Sequence, residues 1–214
     1  SPDLINTYLD RYLQCKSISE QKIFKDRIKF DRKRDNKGLI RMLEWQKVNC
    51  GKSNIDHAYH HEAHAASCSL LSEFNRGICL TVDGVGDYES LAVWEFDRSN
   101  QIKPLKKIFS STTSDSLGYF YGRITGLLGF TPMRHEGKIT GLAAYGDPTK
   151  ALPLMIKMID FKDGMIISNL GKYYKPYFKP FDKELINLVN NNKKEDIAAA
   201  AQMHIETILI KLIN

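Results

Sequence analysis

Four of the six histidines of this chain fall between His57 and His64, in the stretch HAYHHEAH. Side chains four residues apart on a helix lie on one face, a turn apart. His60 and His64 can therefore turn two imidazoles toward one metal ion, as the paired histidines of HExxH helices do. His57 and His61 have the same spacing, and spacing alone does not choose between the two pairs. Neutral imidazole suits Zn, Fe, Mn or Ni. The plainer alternative is a surface helix that happens to be rich in histidine.

Two further stretches have the residue types of a site. In LTVDGVGD, residues 80–87, Asp83 closes an apolar strand-like run and is followed by Gly-Val-Gly. A carboxylate at a strand end is well placed for a metal or phosphate site, and glycines let the backbone approach a ligand and offer it N–H groups. The same residues also read as a hairpin turn, for which Asp-Gly is a strong signal. In HEGKITGLAAYG, residues 135–146, Lys138 stands beside Gly137 and after Glu136 at the start of a glycine-flanked helix. A lysine there can hold a phosphate as a point charge, the alternative being an ordinary exposed side chain.

The elements that must position these residues are legible as patterns. Residues 3–50 read as helical, with apolar positions such as Ile5, Leu9, Leu13, Ile23, Ile28, Leu39 and Leu43 at roughly helical spacing. Three strand-like runs follow, Ile78–Val82, Ser90–Phe96 and Ile102–Phe109, separated by DGVGD and DRSNQ. Two tight turns between three neighbouring strands predict an antiparallel meander. Ser114 is a candidate cap for a helix carrying Leu117, Phe120, Ile124, Leu127 and Leu128 on one side. That helix also carries Gly118, Gly122 and Gly126, with Gly129 after them. Each interior glycine costs about 1 kcal/mol relative to alanine, so close approach of another backbone or of a ligand must compensate. Residues 135–148 predict a short helix, 165–168 a strand, 182–192 a helix and 195–214 an amphipathic helix.

A chain of 214 residues suffices for one large domain or two small lobes, and buries roughly 70% of its unfolded surface without staples. No apolar run approaches the ~20 residues that span a bilayer. Asp3, Asp10 and Arg11 break any signal-peptide pattern, so a cytoplasmic location is expected. Cys15, Cys50, Cys68 and Cys79 form no CxxC pair, which argues against a thiolate metal site and for reduced, mostly buried thiols. The net charge of +6 is concentrated in residues 22–41, where Asp26, Asp31 and Asp35 interrupt the basic run. This predicts a solvated helix face rather than a nucleic-acid surface.

Taken in order, HHEAHAAS, LTVDGVGD, SLGYFYGRITGLLGF and EGKITGLAAYGDP resemble the carbamoyltransferase family of nodulation-factor and antibiotic O-carbamoyltransferases, most specifically over residues 59–148. The resemblance implies an α/β fold of the actin/sugar-kinase, RNase H-like kind. The chain would be a partial domain, with a helical part over 1–56, the motif-bearing core over 57–150 and a helical part over 151–214. It implies that His60 and His64 hold a divalent metal, usually iron, with Mn or Zn as alternatives, and that Asp83 belongs to the same site. Gly84 and Gly86 would lie near nucleotide phosphates, and Lys138 near the active site. The implied reaction carries a carbamoyl group from carbamoyl phosphate to a hydroxyl acceptor through a carbamoyladenylate made from ATP. The adenylate-forming domain and a second lobe are expected elsewhere, which makes the chain a fragment expected to be inactive by itself. No membrane or nucleic-acid partner is implied. A general base is not assigned, His61 and His57 both being open to that role. Another actin-like ATP-dependent protein, such as a kinase or a tRNA threonylcarbamoyl synthase, and a non-catalytic metal- or nucleotide-binding module are the competing readings.

Overall fold

The alternating apolar residues of 76–112 form a three-stranded antiparallel sheet in the order β1-β2-β3, with β1 at Arg76–Gly86, β2 at Glu89–Asp97 and β3 at Leu105–Thr112. It stands at the centre of a computed structural model that describes residues 12–49, 58–171 and 173–214. Cys79 faces Trp94 and Thr81 faces Ala92 across the β1–β2 ladder. The two-residue period of a strand puts these four on one side of the sheet. There Cys79, Ala92 and Trp94 pack with Phe96, Leu105 and Ala65. Leu80, Val93 and Phe109 point the other way, into the larger core. The second face is covered only in part: Leu91 is buried, while Ile78 of β1 is exposed.

The meander is as expected, but its turns and ends are not. β1 does not stop at Val82. It continues to Gly86 through a break in register between Val82 and Gly86, and the hairpin turn is Asp87-Tyr88, both with positive φ (48° and 73°). Two positive-φ residues make the tight turn whose twist matches a hairpin. Asp83-Gly84 is thus an irregular stretch of strand rather than the turn. The third strand starts at Leu105, three residues later than predicted. Ile102 is 97% exposed, and its N–H, like that of Lys103, donates to the Asn100 side chain.

Among the described residues seven α-helices surround this sheet and a small hairpin. Helix α1, Ile18–Asn49, is capped by Ser17, whose Oγ accepts from the Glu20 N–H, while the Glu20 carboxylate reaches one residue further back and accepts from the Lys16 N–H. Residues 3–11 and 50 of the predicted helical segment lie outside the described residues. Helix α2, His60–Ser69, lies on the Cys79 face of the sheet. Helix α3, Leu117–Leu127, is capped by Ser116, whose Oγ accepts from the Tyr119 N–H at 3.0 Å. Ser114, the expected cap, is buried in a single 3-10 turn, Thr113–Asp115. The remaining elements are α4 (Glu136–Ala143), α5 (Leu152–Met158), the hairpin β4 (Ile159–Lys162) and β5 (Met165–Ser168), α6 (Lys183–Asn191) and α7 (Lys194–Ile213). Phe120 and Ile124 of α3, Ile139 of α4, Met155 of α5 and Ile197, Ala201 and Ile208 of α7 close the main core.

The glycines of α3 mark close approach, as their spacing suggests. A Cβ on Gly118 would stand 2.7 Å from the Gly84 Cα, and one on Gly122 would stand 2.6 Å from the Phe178 ring. One side of the helix thus meets the end of β1, and another meets the segment 173–182. Two buried arginines hold that segment. Arg27 donates to the Pro176 carbonyl (2.6 Å), and Arg123 donates to those of Tyr177 (2.6 Å) and Pro180 (2.9 Å). Arg27 also pairs with Asp31 at 2.9 Å, both fully buried. The basic stretch of α1 is thus not uniformly a solvated face. Lys22, Lys25, Lys29, Arg32 and Lys33 are exposed, while Arg27 and Asp31 turn inward.

Candidate metal centre

His60 is the first residue of α2, and its own helix start offers no cap, because Tyr59 makes no side-chain capping bond. The Asp87 carboxylate supplies it from across the hairpin turn, accepting from the His60 N–H at 2.5 Å. An anion at a helix N-terminus satisfies a free N–H and complements the helix dipole. Gly86 beside it leaves the room: a Cβ there would overlap the His60 imidazole. The strand end and the hairpin turn thus set the position of the first histidine.

The His60 and His64 rings then converge on Asp83. Asp83 Oδ2 lies 2.6 Å from His60 Nε2 and 3.8 Å from His64 Nε2, and the two imidazole nitrogens are 3.1 Å apart. Among the described residues, these three side chains are the one group of histidine, cysteine and acidic residues whose ligand atoms cluster this closely. The break in β1 after Val82 aims the carboxylate. Gly84 N–H donates to Asp83 Oδ1 at 2.6 Å, and Ser116 Oγ donates to the Asp83 and Gly84 carbonyls at 3.3 and 2.8 Å. Ser116 therefore ties the start of α3 to this loop, where Gly118 lets the backbones touch. Burial by itself would raise the Asp83 pKa, but the bonds from His60 and Gly84 outweigh it and hold the carboxyl below its ordinary range. At neutral pH the group offers a carboxylate. All three side chains are roughly two-fifths to half exposed, so a small ion reaches them from solvent.

His61 has a different place. It is 1% exposed, with Nδ1 2.9 Å from Thr81 Oγ1 and Nε2 3.3 Å from the Glu89 carbonyl. Desolvation lowers its pKa. With both ring nitrogens engaged inside the α2–sheet interface, it fastens the helix and is not available as a general base or as half of a second pair. His57 lies outside the described residues. Lys138 is exposed on α4 with its ammonium 5.7 Å from the centre of the Phe130 ring. Among the described residues it shares no hydrogen bond or ion pair with His60, His64 or Asp83. The residues that sequence reading missed are Asp87 and Ser116, which hold the site without belonging to it. Asp87 stood in plain view as the last residue of LTVDGVGD, but its partner is 27 positions away.

The donor set suits a divalent cation. Bonds of ~2.0–2.2 Å place neighbouring ligands about 3.0–3.5 Å apart around one ion, and the three separations bracket that range. The Carbamoyltransferase N-terminus family model matches residues 7–214. This chain belongs to the carbamoyltransferase N-terminal family. Among curated relatives of this carbamoyltransferase-family chain, the nodulation protein NolNO of Sinorhizobium fredii is 31% identical over 192 residues, covering 84% of the chain and 26% of the relative. Nodulation protein NolO of Bradyrhizobium diazoefficiens is 34% identical, covering 72% and 28%. The uncharacterised protein MJ1051 of Methanocaldococcus jannaschii is 39% identical, covering 73% and 30%. The chain thus spans less than a third of the length of the relatives it matches.

Proposed function

We propose that this chain is the metal-holding part of an ATP-dependent O-carbamoyltransferase, which moves a carbamoyl group from carbamoyl phosphate, through a carbamoyladenylate, to a hydroxyl of a sugar or natural product. The observation that carries the reading is the convergence of His60, His64 and Asp83 on one point, in a chain of the carbamoyltransferase family. The three residues would hold a divalent cation: two imidazoles with one carboxylate are the donor set of non-haem Fe(II), and Mn(II) or Zn(II) are also served by it. When bound, the ion supplies Lewis acidity toward phosphate oxygens.

The chain's own residues have defined parts in this reading. Asp83 stays anionic and balances the charge of the ion. Asp83 and His60, which now bond each other, would both turn to the ion. Asp87 and Gly86 keep the His60 ring aligned as an outer layer of support. Gly84 and Gly86 leave the backbone bare beside the site, where nucleotide phosphates would approach. Lys138 is assigned to phosphate attraction through its charge and exposed position on α4. The actin-like architecture, the adenylate-forming domain and the second lobe belong to the same proposal.

Titration of the purified chain with Fe(II) under anaerobic conditions, or with Mn(II) followed by electron paramagnetic resonance, tests the reading. One ion per chain is expected, lost in His60→Ala, His64→Ala and Asp83→Asn. Binding that survives all three substitutions overturns it.

A further inference from the structure

Among the described residues the central sheet has two free edges, β1 on one side and β3 on the other, and they are finished differently. An unpaired strand edge is a template for another chain, and proteins blunt such edges with lysines and bulges. β3 has both. Lys106 and Lys107 stand in the strand, and its register slips between Phe109–Val93 and Lys107–Trp94, which leaves Ile108 as the extra residue of a bulge. β1 has neither over Gly77–Val82: its register with β2 is unbroken there, and none of these residues is charged. Two of its apolar side chains are bare, Ile78 at 63% exposed and Val82 at 41%. The Arg98 N–H donates to the Asn75 carbonyl at 2.9 Å, and bonded and non-bonded residues alternate along an antiparallel pair. Gly77, Cys79 and Thr81 therefore bond β2, while the N–H and C=O groups of Ile78, Leu80 and Val82 point out of the sheet. Beside Val82 lies a hollow of about 280 Å³, lined also by Leu117, Tyr121, Ile205 and Leu209.

We propose that the β1 edge is an interface with a second copy of this chain, in which two β1 strands pair antiparallel about a two-fold axis at Leu80. The strand is self-complementary in that register. Leu80 faces Leu80 of the second copy and Ile78 faces Val82, so the bare apolar side chains cover one another across the new ladder. No like charges oppose: Arg76 meets Gly84, and Gly77 meets Asp83. The backbone groups that point out of the sheet are the ones this register bonds. Ile78 of the second copy also comes to lie beside Val82 and its hollow. The contact is isologous and closes at two copies. β3 is then the outer edge at both ends of the joined sheet, where its lysines and bulge stop further addition. The interface does not depend on whether His60, His64 and Asp83 hold an ion.

The test is sedimentation equilibrium of the full chain over a concentration series, with amide hydrogen exchange read at each concentration. A monomer–dimer equilibrium is expected, with the amides of Ile78, Leu80 and Val82 slowing as the dimer fills. I78K is expected to stay monomeric, with thermal unfolding to show that it is folded. I108K, on the blunted edge, is expected to dimerise like the unaltered chain. L80C, oxidised where the dimer is populated, is expected to give a covalent dimer that peptide mapping joins at position 80. That link decides the matter even if I78K does not fold. A chain that is monomeric at every concentration overturns the proposal, as does a dimer kept in I78K and lost in I108K, or an L80C dimer linked at other positions only. Protection of the Leu80 and Val82 amides in a monomer also overturns it, because the chain's own residues then cover the edge.

Discussion

At the residue scale, the His60 ring has its position from neighbours that bind nothing themselves. Gly86 leaves space for it and Asp87 holds the backbone under it. Gly86→Ala is expected to displace the ring and weaken Mn(II) binding by about ten- to a hundredfold, the usual cost of disturbing a ligand's support. Paramagnetic resonance titration reads this directly. Unchanged affinity would mean that another part of the loop yields first. A second residue-scale prediction concerns pH. His204 is buried, with Nε2 2.6 Å from the Ile159 carbonyl, and desolvation lowers its pKa below the ordinary 6.5. His61 is lowered for the same reason. In the window between the folded and unfolded values the unfolded chain binds more protons, so stability falls as pH drops below about 6.5 and is retained above it. Thermal unfolding at pH 7.5 and 5.5 should show the decline, and His204→Gln should shrink it.

At the scale of the element, the glycines of α3 separate two kinds of contact. Helix propensity alone favours Gly→Ala by about 1 kcal/mol. At Gly118 the new methyl meets the Gly84 backbone, which Ser116 already pins. At Gly122 it meets the Phe178 ring, a side chain that can turn. Gly118→Ala is therefore expected to destabilise by about 1–3 kcal/mol, the range for overpacking, and Gly122→Ala by less. Urea unfolding measures both. Equal effects would show that the Phe178 segment is as rigid as the strand end. The Gly118 variant should also disturb the ion titration, since the loop it pushes carries Asp83.

At the scale of the whole molecule, buried charge joins distant parts of the chain. Arg27 of α1 reaches the Pro176 carbonyl and pairs with Asp31, and Arg123 of α3 reaches the carbonyls of Tyr177 and Pro180. Arg27→Met is expected to cost about 3–5 kcal/mol, because it strips a buried carboxylate of its guanidinium. Chemical denaturation checks this, and a loss below 1 kcal/mol would place Asp31 in reach of water. No described helix is long and apolar enough to cross a membrane.

Local order was what the sequence by itself determined. Residue spacing placed His60 and His64 on one helical face, alternation drew the three strands, and the stripe of Ile197, Ala201 and Ile208 announced α7. The order of the motifs announced the family. These signals act over a few residues, through the periods of helix and strand, and each survives without a partner. Tertiary structure decided everything that depends on what faces a residue. It buried His61 against Thr81 and Glu89, where spacing alone had left it equal to His60. It moved the hairpin turn from Asp83-Gly84 to Asp87-Tyr88, and so turned Asp83 toward the histidines. It moved the cap of α3 from Ser114 to Ser116, and it drew Arg27 and Asp31 out of a run that reads as solvent-exposed. The physical reason is common to all four. Each position also answers to a partner tens of residues away (Thr81 for His61, His60 for Asp87, Gly84 for Ser116 and Pro176 for Arg27), and only the packed chain brings those groups together.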